Sequence, residues 1–279
     1  MPLAKVRDLL ADAQKQNTSV LAFDAFDYNT IFACIQGAEK AGKPVILMLY
    51  PTMRGLISFG AFAGIARDLA ASARVPVGLH LDHCSEPDVI FAAIRAGFTS
   101  VMADGSTLPL EENIAFTKKI VDVARCFDVD VEGEVGHVGQ VAAGDDYHDS
   151  DSFTRPDEAL RFARETGVAS MAVAFGSCHG LYKSAPHLDL ARLQEIDRAV
   201  ETPLVLHGGS GIPADQLEQA FCLGINKFNV GTEFFLLDMR LTQEYFAQDA
   251  AARKPFGDAA YIRAGLTDYI AQKLQLCKL

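Results

Sequence analysis

The chain has 279 residues, 49% hydrophobic and 22% charged, which suffices for a sizeable core in one large domain or two ordinary ones and is too apolar for a disordered chain. A formal net charge of −11 disfavours nucleic acid and anionic membranes as partners, since both need clustered Lys and Arg, but leaves room for an anionic small molecule held at a local site. No apolar run approaches the roughly 20 residues of a membrane span; the N-terminus has no secretory pattern, and Cys34, Cys84, Cys126, Cys178, Cys222 and Cys277 lack CxxC or zinc-finger spacing, so reduced structural thiols and a cytoplasmic location are expected.

In chain order, Leu3, Val6, Leu9, Leu10 and Ala13 recur at helical spacing and predict an amphipathic N-terminal helix. Eight short apolar runs follow: SVLAF (19–23), PVILML (44–49), VPVGLHL (75–81), TSVMA (99–103), VDVEGEV (129–135), SMAVAF (170–175), PLVLH (203–207) and NKFNV (226–230). Each reads as a strand and is followed by a helical pattern, such as Ile31, Ile35 and Ala38 or Ile114, Ile120, Val121 and Ala124. Eight β-α units without a linker or a composition break predict one (β/α)8 TIM barrel over 1–279, with the N-terminal helix in front and a helical extension behind. A doubly wound open sheet fits less well, because DAFDYNT after the first strand carries no glycine-rich nucleotide turn. Residues 136–155 form a polar segment longer than barrel loops usually are, as expected of a lid or a disordered loop.

Catalytic residues of a barrel stand at the C-terminal ends of its strands. Strand three ends in Asp82-His83, strand four leads to Asp104-Gly-Ser106, and strand five carries Glu132 and Glu134. Strand six leads to GSCHG with His179, strand seven ends in His207-Gly-Gly-Ser210, and strand eight ends in Asn229-Val-Gly-Thr232. Three histidines from three strand ends suit an open zinc site. Singly, each reads as a hydrogen-bonded loop residue. Asp82 stands beside one ligand and remains free for acid/base work. Neighbours in a strand point to opposite faces, so the chain must leave regular β geometry at Asp82-His83 for both to reach one site. His80 shares the parity of Asp82 and is expected inside the barrel below. His137, His148 and His187 are expected in solvated loops. The runs HGGSGIPADQ and NVGTEFF offer backbone N–H groups at helix starts, a frequent phosphate site after strands seven and eight.

Together, LHLDHC (79–84), residues 96–114, VEGEVGHVG (131–139), AVAFGSCHGLYK (172–183), LVLHGGSGIP (204–213) and NVGTE (229–233) resemble the class II, zinc-dependent ketose-bisphosphate aldolases. The resemblance implies a zinc ion on His83, His179 and His207, with Asp82 as the acid/base. It implies Asp104 and Glu134 at a second or displaced divalent metal. Gly180, Gly208, Gly209, Ser210, Asn229, Val230, Gly231 and Thr232 would hold dihydroxyacetone phosphate, beside which some members bind a monovalent cation. The partner implied is a sugar phosphate, the assembly a homo-oligomer (dimer or tetramer), and the reaction cleavage of the C3–C4 bond without a lysine Schiff base, leaving Lys183 and Lys227 no nucleophilic role.

Some positions depart from that family. Asp24 stands where AFN is common, and Tyr50 where a serine borders the aldehyde. Ala142 takes the lid's acidic position, with Asp145 and Asp146 nearby as substitute lid acids, and the sequence beyond about residue 236 looks unlike the family. Tyr50 fills space and offers one O–H, while an ionised Asp24 repels a second phosphate, so a shorter or uncharged aldehyde is expected. Arg54 weighs the other way if it faces the site, where it would pair with Asp24 or bind an anionic tail. Alternatives are another metal-dependent barrel enzyme (an isomerase or hydrolase) and a non-catalytic sugar-phosphate-binding relative. A hydrolase would usually need further bridging ligands that SVLAFDAF lacks, and the retained Asp82 argues against a non-catalytic relative.

Overall fold

A computed structural model describes residues 3–139, 141, 152–182, 186–249 and 253–279. Eight parallel strands close into one barrel in sequence order: β1 (Val20–Asp24), β2 (Val45–Leu49), β3 (Val77–Leu81), β4 (Ser100–Ala103), β5 (Asp130–Val135), β6 (Ser170–Val173), β7 (Leu204–Leu206) and β8 (Ile225–Val230). Each lies within two residues of its predicted run. Both faces of every strand are buried, which is why the runs read as continuous rather than alternating. One parity, including Phe23, Leu47, Leu79, Val101, Val131 and Phe228, packs outward under the helices. The other parity faces the barrel axis.

The N-terminal helix α1 (Val6–Lys15) closes the bottom of the barrel. Its Val6, Leu9, Leu10 and Ala13 pack on Val20, Ala22, Ile46 and Met48. Gly78 makes room for it, since a Cβ there would lie 3.1 Å from Val6 and 3.3 Å from Leu9. The outer helices are α2 (Tyr28–Ala41), α3 (Phe59–Ser72), α4 (Pro87–Ala96), α5 (Leu110–Arg125), α6 (Pro156–Thr166), α7 (Leu190–Ala199), α8 (Ala214–Cys222) and α9 (Thr232–Ala247). Asp27 starts α2 through a capping box with Thr30, and Gly42 ends it in the left-handed region at φ +69°. The C-terminal extension is α10 (Gly257–Lys273), which packs against α2. Gly37 permits that approach, because a Cβ there would come within 2.7 Å of Ile270. Among the described residues no helix is long and apolar enough to cross a membrane.

Candidate active site

The C-terminal rim encloses a cavity of about 460 Å³. Asp82, His83, Asp104, Glu134, His179, Gly180, Gly208, Gly209, Ser210, Asn229, Gly231 and Thr232 all line it, so almost every predicted site residue converges there. His83 carries the backbone departure expected from its neighbour: its φ is +28°, costly for a residue with a Cβ. That turn lets the side chains of Asp82 and His83 reach the same space.

The three imidazoles meet at one point. His83 Nε2 lies 3.1 Å from His179 Nε2 and 2.7 Å from His207 Nδ1. Two of the rings are held from behind: Asp104 Oδ2 lies 2.8 Å from His83 Nδ1, and Glu132 Oε1 lies 2.9 Å from His207 Nε2. These acceptors fix the tautomers so that the ring nitrogens aimed at the centre keep their lone pairs. Three lone pairs at such distances repel one another unless a cation lies among them. With protons alone the site holds one positive charge: burial opposes it at His83, but Asp82, Asp104 and Glu134 outweigh burial and raise that imidazole to about 10. Burial and then the charged His83 push His179 down to about 3 and lower His207 as well. The donor set therefore fits a divalent metal such as zinc. His83, Asp104 and Glu134 form a second convergent set of donors. Glu134 accepts from the Val138 N–H at 2.9 Å, has no hydrogen bond on Oε2, and is raised to about 8 by burial and then Asp104.

Asp82 is buried, and its Oδ1 accepts from Asn229 Nδ2 at 3.0 Å. Burial raises its pKa, but His83, His207 and Lys227 outweigh burial and hold it below the ordinary carboxylate range, keeping it ready to accept a proton. Beneath the imidazoles lies an ion pair that sequence reasoning missed. Lys227 and Glu132 are both fully buried, with Nζ–O distances of 2.8 and 3.1 Å. Glu132 also accepts from Ser170 at 3.1 Å. The pairing of Lys227 on β8 with Glu132 on β5 exists only once the barrel closes. It also removes Lys227 from consideration as a nucleophile. His80 faces the interior as expected, with Nδ1 2.8 Å from Ser100 Oγ, and burial followed by Lys227 pushes it down to about 3.

The glycine runs shape one side of the cavity. Gly208 has φ +66°, and a Cβ on Gly209 would sit 1.8 Å from the Phe228 ring. Tyr182 Oη donates to the Gly208 carbonyl at 2.6 Å and accepts from the Cys178 N–H at 2.7 Å, tying the β6 and β7 loops together. Ser210 Oγ accepts from the Glu233 N–H in the first turn of α9, so this side presents a helix N-terminus suited to phosphate. Of the predicted phosphate residues, Val230 departs: its side chain is buried in the outer core, leaving only its backbone beside the site.

Asp24 lines the cavity, buried, with Oδ1 unbonded, and burial followed by Asp82 raises its pKa well above normal. Tyr50 also lines it, its ring edge-on to His83 with centroids 6.3 Å apart. Arg54 does not. The 3-10 turn Pro51–Gly55 aims Met53 inward and Arg54 outward, where its guanidinium covers Phe59 and donates to the Pro51 carbonyl. His137, expected in solvent, is half-exposed but lines the cavity, with Nδ1 3.2 Å from Ser106 Oγ. Its place three residues after Glu134 was the available signal. Asp145, Asp146 and His148 lie outside the described residues. The base of their segment is anchored to the His179 loop by two backbone bonds, from the His179 N–H to the Gly139 carbonyl and from the Val141 N–H to the His179 carbonyl.

A model of the class II fructose-bisphosphate aldolases matches residues 4–279. The match includes α9 and α10, correcting the expectation that the sequence leaves that family after about residue 236. The D-tagatose-1,6-bisphosphate aldolase subunit GatY of Klebsiella oxytoca is 34% identical over 273 residues, covering 97% of this chain and 96% of that protein. The crystal structure of the YdjI aldolase from Escherichia coli K12 is similar with a TM-score of 0.88 at 32% identity, over 99% of this chain and 97% of that one. A putative fructose-1,6-biphosphate aldolase from Coccidioides immitis gives 0.87 at 26% identity, over 98% and 95%.

Proposed function

Since the chain belongs to the class II fructose-bisphosphate aldolase family, we propose that it makes and breaks the C3–C4 bond of a ketose phosphate, yielding dihydroxyacetone phosphate and an aldehyde, with zinc held by His83, His179 and His207. The observation that carries this reading is the convergence of three imidazole lone pairs beside a buried, hydrogen-bonded aspartate. When bound, the metal supplies Lewis acidity at the C2 carbonyl, stabilising the enediolate left by C–C cleavage.

The protein's own residues do the rest. Asp82 takes the C4 hydroxyl proton as the C3–C4 pair withdraws toward the C2 oxygen, and in the condensing direction it returns that proton to the new hydroxyl. Asn229, which donates to Asp82 Oδ1, orients the carboxylate so that its free oxygen meets the substrate. The N–H groups of Gly208 to Ser210 and of Gly231 and Thr232 receive the C1 phosphate at the start of α9. Asp104 sets the tautomer of His83, and with Glu134 is the proposed second metal site. Asp145 or Asp146 is proposed as the acid exchanging the C3 proton of dihydroxyacetone phosphate. No imine forms.

Chelation tests this. Removing the metal abolishes cleavage, and zinc or cobalt restores it, while borohydride added with substrate leaves activity intact. Activity in the chelated protein, or a covalent lysine adduct, would overturn the reading.

A further inference from the structure

We propose that the acceptor half of this cavity takes a short hydroxyaldehyde with an uncharged tail, so that the preferred ketose is a 1-phosphate and not a 1,6-bisphosphate. This rests on the aldolase reading above and concerns the other end of the substrate.

The order of the strands fixes which end is which. The phosphate-suited loops follow β6, β7 and β8, so a substrate crossing the three imidazoles places its aldehyde half against the opposite arc, after β2, β3 and β4. That arc presents Tyr50, Met53, Ser85, Ser106 and Thr107: one phenol, one thioether and three hydroxyls. The cation nearest in sequence, Arg54, is turned away, its Nε 3.0 Å from the Pro51 carbonyl and its guanidinium over Phe59. Among the described residues that line the cavity there is no lysine or arginine, whereas four carboxyl side chains do so: Asp24, Asp82, Asp104 and Glu134.

Asp24 stands at the divide between the two halves, at the end of the strand between β8 and β2. One carboxyl oxygen lies against Gly231, where a Cβ would approach to 2.8 Å. The other is buried without a hydrogen-bond partner. A buried polar atom without a partner is costly and marks a place where a ligand group supplies the missing bond. A substrate hydroxyl satisfies a carboxyl in either protonation state, as donor or as acceptor. A phosphate finds no cationic counter-charge on the facing arc among the described residues. Tyr50 adds a directional O–H and shortens the space, with its ring edge-on to His83.

The test compares kcat/KM for fructose 1-phosphate and fructose 1,6-bisphosphate on the zinc-loaded protein, its Asp24→Asn variant and its Tyr50→Ser variant. Exchange of the C3 proton of dihydroxyacetone phosphate with D2O, without any aldehyde, is measured on the same samples. The expected result is a preference for the 1-phosphate of tenfold or more in the unmodified protein, and a several-fold shift toward the bisphosphate in at least one variant. A bisphosphate preference, a ratio near one, or a ratio unchanged in both variants overturns the inference. Exchange present together with a bisphosphate preference overturns it and leaves the aldolase reading standing. Exchange absent together with no cleavage of either ketose overturns both.

Discussion

Replacing Lys227 with methionine leaves Glu132 as an uncompensated carboxylate inside the barrel. Both side chains are fully buried, and the two Nζ–O contacts of 2.8 and 3.1 Å give Glu132 its only cationic partner in hydrogen-bond reach among the described residues, with Ser170 and His207 as its other donors. Breaking a buried pair from one side costs about 3–5 kcal/mol. At roughly 2–4 °C per kcal/mol for a domain of this size, Tm falls by about 6–20 °C. Adding Glu132→Gln removes the stranded charge while its amide oxygen still accepts from His207 Nε2, so the double variant regains most of the loss. The pH dependence has a definite sign. With Lys227 present, the carboxyl of Glu132 is held well below its ordinary value, since Lys227 and the neighbouring histidines outweigh burial. Its stabilising contribution is present above the unfolded value of about 4.3 and fades as pH falls below it. Without Lys227, burial dominates and raises that carboxyl, so the deficit of the variant is largest at neutral pH and shrinks in acid, where Glu132 takes up a proton. Thermal melts of the three proteins at pH 7 and pH 5 measure this. A Lys227→Met protein that melts with the parent, or a double variant no better than the single one, would refute the reasoning.

Two further perturbations address the site directly. Asp104→Asn removes the charged acceptor behind His83, and losses of this kind typically weaken metal binding about 10–100-fold, which a competition titration with a chromophoric chelator reads; unchanged affinity would mean that Asp104 does not orient the ligand. Gly209→Ala drives a methyl to 1.8 Å from Phe228 and displaces the backbone proposed to receive the phosphate, so KM for the ketose phosphate rises about tenfold, equivalent to about 1.4 kcal/mol, and an unchanged KM would show that this loop does not hold the phosphate.

The barrel was legible because its strands are buried on both faces and so stand out as apolar runs, each followed by a helical pattern. The three converging histidines and Asp82 were legible because each lies at or just after a strand end and strand ends share one rim. What remained hidden depends on which way a side chain points within a turn or across the barrel. Lys227 and Glu132 are 95 positions apart and meet only through closure and register. Arg54 and Met53 are adjacent in one 3-10 turn, and nothing in their order tells which faces the cavity. Val230 follows Asn229 in a phosphate-like run, but strand alternation sends its side chain outward. His137 was read as solvated from its loop, although the short span from Glu134 keeps it at the rim.

The most direct measurement is zinc content and aldol cleavage rate on the same preparation of Asp82→Ala. Asp82 is bonded to Asn229 and is not one of the converging imidazoles, and the proposed mechanism has it meet the substrate and not the metal. The variant should therefore keep its zinc while cleavage falls by about two to four orders of magnitude, the range typical of a lost general acid/base. Full zinc with undiminished turnover would show that another group moves the C4 hydroxyl proton, and loss of zinc would show that Asp82 belongs to the metal site, either result contradicting the role assigned to it.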